Sequence, residues 1–417
     1  MMLKKSGSKD NKPAEKRDIN HDKFIKQSVQ ELANILSFWQ LNTVDNSFSG
    51  FYGRRDHFNR LIPKAHKGII LNTRILWSFS AAGNFYGNNQ YLEICGRAFS
   101  YLKDKFKDEE YGGVYWLVDY KGFPSITRKQ TYAQAFTIYS LAEYYKYSRN
   151  QNALDWALEI FYQLERIALD HNSGGYIECF KRNWEPIEDM RLSEKDLNAS
   201  KTMNTHLHIL EAYTTLFEVS GNEKTGSALE NLIHLVLNRF ATEAGHFKLF
   251  FSSDWNSLST EISFGHDIEA AWLLINAARE LGNKELIIST ESLAVSIADS
   301  FIKKALDSDY GVYNNMDLHT KQVDTDKHWW PQAEAIVGLL YVWNITGINK
   351  YLDIASGIWA FIEQTIIDKT NGEWFFRVDK EGVPYENENK VGPWKCPYHN
   401  SRACMEIVRL LKQPGLN

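Results

Sequence analysis

Three histidines of this chain are candidates for proton transfer to and from carbon. His208, His266 and His399 each fall within the first two turns of a predicted helix, among polar and aromatic neighbours. Histidine has a pKa near neutrality, so it can take and return a proton under physiological conditions. A single histidine is more often a core residue bonded to a carbonyl group. Three of them at one end of a helical fold would instead form a proton-transfer site.

Helical spacing gives two of these histidines polar partners. Asn204 lies four residues before His208, and Glu211 lies three residues after it. Glu269 follows His266 by three residues. Separations of three and four place side chains on one helix face, and a carboxylate beside a histidine can orient the ring and stabilise its charged form. We therefore expect Glu269 to support His266.

Charged residues within apolar helical segments are further candidates. Arg74 and Glu334 both fall in such segments, and a charged side chain is rarely buried unless it is paired. Arg74 would reach either a substrate oxygen or, as a structural alternative, the carboxylate of Glu269 or Glu334. His206 faces away from His208. The spacing is not the H-E-x-x-H of zinc proteases, and we expect no metal.

Tryptophans next to these helices could form a sugar-stacking surface. Trp329 and Trp330 precede Pro331 at a helix start, and Trp394 comes shortly before His399. Sugars place their C–H faces on aromatic rings, and the chain holds 13 Trp and 21 Tyr. Core packing remains the alternative for most of these rings.

A repeated turn indicates the architecture that would position these residues. A glycine followed by an aromatic residue recurs six times at separations of roughly 61 to 71 residues, which is typical of a repeat fold. The turns begin at Gly50, Gly112, Gly174, Gly245, Gly311 and Gly372.

Apolar residues at helical spacing predict two helices for each repeat. Because one pair cannot bury its apolar face alone, six pairs would close into an all-α (α/α)6 barrel, with even-numbered helices inside and short β-hairpins in the loops of one face. The predicted helices cover residues 21–40, 68–85, 90–106, 132–148, 151–169, 202–220, 223–240, 266–281, 284–306, 331–346, 349–367 and 398–412.

Composition excludes several classes of protein. The net charge is −5 without a basic stripe, which argues against nucleic-acid binding, and no apolar run reaches membrane-spanning length. Four cysteines without CxxC spacing fit a reducing, cytoplasmic compartment. We expect residues 1–19 to be a disordered tail, residues 20–417 to be one barrel domain, and the protein to be a monomer.

Five segments carry a resemblance to a known family. Residues 67–77, 203–212, 265–269, 329–335 and 392–399 resemble motifs of the N-acylglucosamine 2-epimerase superfamily, and within it those of the bacterial cellobiose 2-epimerases. The resemblance runs from about Asp45 to Glu406, and it implies an (α/α)6 barrel, in agreement with the repeat.

The resemblance also implies roles for individual residues. His266 and His399 match the two acid/base histidines on either side of the sugar C2, and His208 matches the histidine assigned to ring opening. The family's tryptophan aligns with either Trp329 or Trp330. The candidate substrate-binding residues, from spacing or from resemblance, are Arg74, Tyr132, Asp196, Asn204, Glu269, Trp329, Trp330, Glu334 and Trp394.

The implied activity is 2-epimerisation of the reducing-end sugar of β-1,4-linked disaccharides such as cellobiose, mannobiose or lactose. Ring opening would expose an acidic C2 proton, and its removal would give an enediolate. No cofactor is expected, because neither a G-x-G-x-x-G nor a G-x-x-x-x-G-K-[ST] fingerprint occurs. The alternatives are a monosaccharide epimerase or aldose–ketose isomerase of the same superfamily, a glycoside hydrolase on the same fold, and a non-catalytic saccharide-binding scaffold.

Overall fold

A ring of six inner helices surrounded by six outer helices forms the body of the protein. The computed structural model describes residues 21–412, so the predicted N-terminal tail (residues 1–19) lies outside them. The helices are α1 (His21–Asn42), α2 (Ile69–Tyr86), α3 (Leu92–Tyr101), α4 (Thr131–Ser148), α5 (Gln151–Ile167), α6 (Met203–Ser220), α7 (Glu223–Leu235), α8 (Phe264–Leu281), α9 (Lys284–Lys304), α10 (Trp329–Thr346), α11 (Asn349–Phe361) and α12 (Tyr398–Lys412).

The even-numbered helices form the inner ring, as predicted. Each packs on the next even-numbered helix, and α12 packs on both α10 and α2, which closes the circle. In α2 every residue from Ile69 to Gly83 is buried, which is expected of a helix that other helices surround. Outer helices such as α5 bury one face only. The (α/α)6 barrel is therefore confirmed.

Three outer helices end in a π-helical turn where the sequence predicted one continuous helix. α3, α7 and α11 continue as Leu102–Phe106, Val236–Phe240 and Ile362–Ile366. The predicted end of each helix is thus correct, while its last turn is wider than an α-helical turn.

The two ends of the barrel differ in how the helices are connected. Four of the five connections from an inner helix to the next outer one have only two residues, as in Gly221-Asn222 and Gly282-Asn283, and the connection from α2 to α3 has five. There the glycine adopts the left-handed conformation and the asparagine caps the outer helix. The connections at the other end are long. We call the end with long loops the front and the end with tight turns the back.

Short strands pair within and between adjacent front loops. The predicted hairpins occur in two loops, at residues 117–126 and 315–324, and the other strand pairs join neighbouring loops. β1, β2 and β3 form one antiparallel sheet, β8, β9 and β10 another, and β4–β5, β6–β7 and β11–β12 are pairs. Lys67 lies opposite Val118, and Lys201 opposite Phe251. The strands are β1 (Lys67–Gly68), β2 (Leu117–Val118), β3 (Pro124–Ile126), β4 (Lys129–Gln130), β5 (Cys179–Phe180), β6 (Lys201–Thr202), β7 (Phe250–Phe251), β8 (Glu261–Ser263), β9 (Asn315–Asp317), β10 (Val323–Asp324), β11 (Lys327–His328) and β12 (Arg377–Val378).

Buried lysine–aspartate pairs join the glycine turns to the loops that lead into the inner helices. Lys67 Nζ lies 2.7 Å from Asp45, and the other four pairs span 2.7 to 2.9 Å. The fourth repeat has Ile262 at the lysine position and no such pair. The other four pairs are Lys129–Asp108, Lys201–Asp170, Lys327–Asp307 and Lys390–Asp368.

A second repeated contact explains His206. The side chain of the fourth residue of an inner helix accepts a hydrogen bond from a backbone N–H just after the glycine turn. Gln134 accepts from Val114, and His206 accepts from Tyr176. Gly175 has φ +74°, and a Cβ there would lie 2.8 Å from His206 Nε2, so only glycine fits. His206 is thus a structural residue and faces away from His208, as expected.

No helix among residues 21–412 combines the length and apolarity that are needed to cross a membrane.

Breaking one buried pair should destabilise the fold. Asp45→Asn would leave the Lys67 ammonium buried without its counter-charge, although burial already lowers the pKa of this lysine. We expect a loss of about 3–5 kcal/mol in the free energy of unfolding, measured by denaturant titration. The control is Glu185→Gln, which breaks the exposed Lys181–Glu185 pair and should cost at most about 1 kcal/mol. Equal losses in both variants would contradict the structural role of the buried pair.

Candidate active site

The side chains at the front end of the barrel come from equivalent positions of the inner helices. The second and sixth residues of a helix are four apart and share a face, and in this ring that face points to the barrel axis. The second residues of α4, α6, α10 and α12 are Tyr132, Asn204, Trp330 and His399, and the sixth residues of α2, α6, α8 and α10 are Arg74, His208, Glu269 and Glu334. Eight of the twelve predicted site residues therefore occupy two rings of positions.

His208 lies between aromatic rings and a carboxylate. Its Nδ1–H donates to Glu211 Oε2 at 3.0 Å, as its spacing predicted. The rings of Tyr132 and Phe136 lie 5.0 and 4.6 Å from the imidazole. Burial lowers the pKa of His208 more than Glu211 raises it, so the imidazole is neutral at physiological pH. Its Nδ1 is bonded to Glu211, and its Nε2 is not part of that hydrogen bond.

His399 is held by a carboxylate from a neighbouring helix. Its Nδ1–H donates to Glu334 Oε1 at 2.7 Å, and Glu269 Oε1 lies 3.9 Å away. Burial lowers the pKa of His399 well below its usual value, and Arg74 and Arg402 lower it further. The ring of Trp330 lies 5.6 Å from the imidazole.

His266 has a different partner from the one that the sequence predicted. Its Nδ1 is hydrogen-bonded to Ser263 Oγ at 2.7 Å, and Glu269 is turned toward Arg402 instead. The expectation that Glu269 orients His266 is therefore wrong. His266, the third residue of α8, bonds to Ser263 at the start of the helix, and Glu269 bonds to Arg402 instead. Burial lowers the pKa of His266, and the neighbouring His208 lowers it further, to about 3. Trp330 contacts this ring as well, at 4.8 Å.

Arg402 connects the carboxylates that support the histidines, and sequence reasoning missed it. Its Nη1 donates to Glu211, and its Nη2 donates to Glu269 at 2.6 Å and to Glu334 at 2.7 Å. Tyr398 donates its hydroxyl to Glu211 at 2.5 Å. Burial and the charge of Glu334 raise the pKa of Glu269, while Arg402 lowers it. Arg402 follows His399 by three residues, so the signal was a charge on the same face of an otherwise buried helix.

Arg74 is buried without a carboxylate partner among the described residues. Its Nη2 donates to Tyr132 Oη at 2.9 Å and its Nη1 to Cys396 Sγ at 3.7 Å. Its guanidinium carbon lies 4.3 Å above the ring of Phe136 and 4.7 Å above that of Tyr398. The alternative of a salt bridge from Arg74 to Glu269 or Glu334 is wrong, because Arg402 fills that place. The charge of Arg74 is left available at the site.

Two small cavities open beside these residues at the front. One, of about 100 Å³, is polar and is lined by Asn204, His266 and Asp196 among others. Asn204 Oδ1 is buried and has no donor. Asp196 accepts the backbone N–H of Ser193 at 2.8 Å, so it also fixes the loop that covers the cavity.

The second front cavity, of about 170 Å³, is mainly apolar and aromatic. Trp116, Trp394 and Ile70 line it, and the Trp116 and Trp394 rings are 5.9 Å apart. Leu192, which sequence reasoning also missed, lines both cavities. The polar and the aromatic compartments therefore meet at the loop that carries Leu192.

The adjacent tryptophans differ in position. Trp330 contacts both His266 and His399, whereas Trp329 contacts His399 alone, at 6.3 Å, is 3% exposed and packs against Phe376 at 4.7 Å. Trp330 is thus the one beside the two imidazoles.

One group of possible metal ligands occurs among the described residues: Glu269, Glu334 and His399, whose ligand atoms lie within 4.8 Å of one another. Both carboxylates already bind Arg402, and His399 Nδ1 bonds to Glu334. The guanidinium thus occupies the place that a cation would take.

Comparison with known proteins identifies the family. The family model of N-acylglucosamine 2-epimerase matches residues 50–403. A cellobiose 2-epimerase of Bacteroides fragilis is 42% identical, with 93% of this chain and 99% of that protein covered. One of Ruminococcus albus is 38% identical, with coverages of 92% and 98%.

The fold agrees with solved structures of such enzymes. The cellobiose 2-epimerase of Spirochaeta thermophila superposes with a TM-score of 0.89 at 36% identity, over 96% of this chain and 99% of that one. All three histidines and both arginines lie within residues 50–403, which the family model matches. The chain therefore belongs to the N-acylglucosamine 2-epimerase family and is a carbohydrate epimerase.

Proposed function

We propose that the protein epimerises C2 of the reducing-end sugar of β-1,4-linked disaccharides, with cellobiose and mannobiose as substrates and lactose as a further one. The observation that carries this proposal is the pair of imidazoles, the half-buried His266 and the buried His399, which both contact Trp330 at the front of the barrel. Similarity to the cellobiose 2-epimerases supports the substrate class.

The reaction requires a base and an acid on opposite faces of C2. Once the sugar ring has opened, with His208 moving the ring-opening proton, one imidazole removes the C2 proton and an enediolate forms. The other imidazole, which begins the turnover in its protonated form, then delivers that proton to the opposite face, so that the turnover ends with the first imidazole protonated and the second neutral. His266 and His399 exchange these roles when the reaction runs in reverse, and a neutral imidazole is the form that accepts a proton.

Arg74 supplies the positive charge that the enediolate needs. Its guanidinium is buried and bonds only to neutral groups, Tyr132 Oη and Cys396 Sγ. A preorganised charge in a dry site stabilises a developing oxyanion more strongly than it would in water. Asn204 Oδ1, which lacks a donor, would accept a sugar hydroxyl.

The two front cavities favour a substrate with two rings over a monosaccharide. The polar compartment contains His266 and Asn204, where the reacting sugar would lie. The aromatic compartment beyond Leu192 offers Trp394 and Trp116 to a second sugar. This arrangement argues against the monosaccharide alternative.

The carboxylate geometry argues against a glycoside hydrolase. Such enzymes place two carboxyl groups on either side of the scissile bond. Glu269 and Glu334 bind the same nitrogen of Arg402, at 2.6 and 2.7 Å, so they lie side by side.

The histidine pair can be tested by substitution. His266→Asn and His399→Asn should each lower kcat by about 10²-fold or more, because each removes a proton-transfer group. The assay is proton NMR of cellobiose and of mannobiose in D₂O, in which the C2 epimer appears and deuterium enters C2. Release of monosaccharides would indicate a hydrolase instead.

A matched control exists for these variants. His206→Gln should retain turnover, because Gln332 makes the two equivalent bonds in the fifth repeat, from Val312 N–H and to the carbonyl of the residue four positions earlier. Near wild-type kcat in both the His266 and the His399 variants would refute the proposed mechanism.

The pH dependence should follow the lowered histidine pKa values. Burial lowers the pKa of His266 to about 3 and that of His399 well below its usual value, so the proton-accepting form persists into acid. We expect the acid limb of kcat/KM to have an apparent pKa below about 6. Initial rates from pH 5 upward, with circular dichroism as the control for folding, test this. An acid limb at 6.5 or above would contradict it.

Trp394 separates the disaccharide proposal from the monosaccharide one. Trp394→Ala removes one wall of the aromatic compartment and should raise KM for cellobiose about tenfold, since a lost stacking contact costs about 1 kcal/mol or somewhat more. KM for mannose should change little. Equal effects on both sugars would place the reacting ring, rather than the second ring, against Trp394.

A further inference from the structure

Ser263 lies just before the first residue of α8, where a serine usually caps a helix. The oxygen of such a serine accepts from a backbone N–H in the first turn. Thr202 does so at the same position of α6, where its Oγ1 accepts from the N–H of Thr205 at 3.2 Å. Ser263 makes no such bond, and its Oγ lies 2.7 Å from His266 Nδ1 instead. Because a serine cap stabilises a helix, its absence here indicates that the hydroxyl has another role.

Ser263 is the only hydrogen-bonding partner of the His266 imidazole within residues 21–412. Both residues line the polar front cavity. A serine oxygen accepts as well as donates, so the imidazole can carry its hydrogen on Nδ1 and keep Nε2 as the proton acceptor. Once Nε2 has taken up a proton, the same Nδ1–H still donates to Oγ, because both nitrogens of a charged imidazole are donors. One bond thus serves both states of the ring.

The other two histidines of the site have carboxylates in this place. Nδ1 of His208 bonds to Glu211, and Nδ1 of His399 bonds to Glu334. A carboxylate orients a ring and also favours its charged form, whereas a hydroxyl orients the ring without adding a charge. The orientation of His266 therefore depends on a single neutral group.

The ring of Trp330 is the second contact that holds this imidazole, at 4.8 Å and an angle of 52°. Trp330 comes close to the start of α8 because residue 265 is glycine: a Cβ on Gly265 would lie 2.4 Å from the indole. An imidazole keeps nearly the same shape after half a turn about its Cβ–Cγ bond, which exchanges ring nitrogens with ring carbons. Packing alone does not distinguish these two orientations. The bond to Ser263 is the contact that does.

We propose that Ser263 is the positioning residue of His266: its Oγ accepts from Nδ1–H and thereby holds Nε2 toward C2 of the sugar. The inference rests on the proposed role of His266 in proton transfer. Ser263 acts through the orientation and the tautomer of the imidazole and does not itself meet the reacting atoms. Without the hydroxyl, the ring can make its half turn or carry its hydrogen on Nε2, and neither state accepts the C2 proton.

Removal of the hydroxyl tests this role. Ser263→Ala should lower kcat for cellobiose by about ten- to a hundredfold, since misplacement of a catalytic group has effects of this size. KM should stay close to that of the wild type, because the sugar contacts remain. Ser263→Thr keeps a hydroxyl, and threonine stands at this position of α6, so kcat of this variant should be near that of the wild type.

Ser300→Ala is the matched control. Ser300 and Ser263 are each 9% exposed, and Ser300 Oγ lies 3.2 Å from Nε2 of His246, a histidine outside the site. The control removes a buried serine–histidine contact of the same kind, and kcat should stay near that of the wild type. Thermal unfolding followed by circular dichroism checks that all three variants are folded.

An isotope effect separates positioning from a general loss of structure. The C2 hydrogens of cellobiose and of its C2 epimer lie on opposite faces, so under the proposed mechanism His266 removes one and His399 removes the other. With each sugar deuterated at C2, Ser263→Ala should raise the isotope effect on kcat/KM for the sugar that His266 deprotonates, because that step then limits the rate. For the other sugar the effect should fall, because proton delivery by His266 becomes limiting.

The tautomer can be measured without turnover. In full-length protein labelled with ¹⁵N-histidine, His266→Asn identifies the His266 signals, and nitrogen chemical shifts distinguish a ring nitrogen that carries hydrogen from one that does not. The wild type should carry hydrogen on Nδ1, and Ser263→Ala should show a mixture of tautomers.

Any of four results would overturn the proposal: wild-type kcat in Ser263→Ala, an equal loss in Ser263→Thr, isotope effects that change alike for the two sugars, or a wild-type His266 that carries hydrogen on Nε2. Failure of the proposed function would be seen separately, as the absence of a C2 epimer with the wild-type protein, and the tautomer measurement would still decide the role of Ser263.

Discussion

The burial of one guanidinium on the barrel axis is the constraint on which the site depends. Arg402 is buried with three carboxylates, which arrive from α6, α8 and α10. A buried charge without a partner costs several kcal/mol, so these helices must present Glu211, Glu269 and Glu334 to one point. Two of these carboxylates also hold His208 and His399. The charge that organises the core thereby fixes the orientation of two imidazoles.

The repeat explains how a ring of similar helices acquires a site. Each inner helix brings its second and sixth residues to the axis, so chemistry is obtained by placing Asn204, Trp330, Arg74 or His208 at those positions without changing the backbone. The fourth residue of the helix, as in Gln134 and His206, faces the glycine turn and holds the repeat together. Structural polar residues and candidate functional ones therefore alternate along the same helices, and only their position within the helix distinguishes them.

The position of a residue within its helix also decides how much of the site could be predicted from the sequence. Helical periodicity and the recurring glycine turn were sufficient to predict the twelve helices and the inner ring, and the spacing of Asn204 and His208 places both on one face of α6. Contacts between helices were beyond such reasoning. The choice of Arg402 over Arg74 as the partner of the carboxylates depends on how far each helix is rotated about its axis. Ser263 is a local partner of His266, three residues before it at the start of α8, and spacing alone does not separate it from Glu269, three residues after. Leu192 lies in a loop without periodicity, so nothing in the sequence marks it.

The two arginines near the axis are both positively charged, but they differ in whether neighbouring carboxylates balance that charge. Both guanidinium groups contact the ring of Tyr398. The two terminal nitrogens of Arg402 bind three carboxylates, whereas Arg74 bonds to a phenol and a thiol. If Arg74 had a carboxylate partner, an enediolate would have to displace that partner before it could gain from the charge, and the displaced carboxylate would be left buried. Because Arg402 binds all three carboxylates, Arg74 has no carboxylate partner within residues 21–412, and under the proposed mechanism its charge is available to the enediolate.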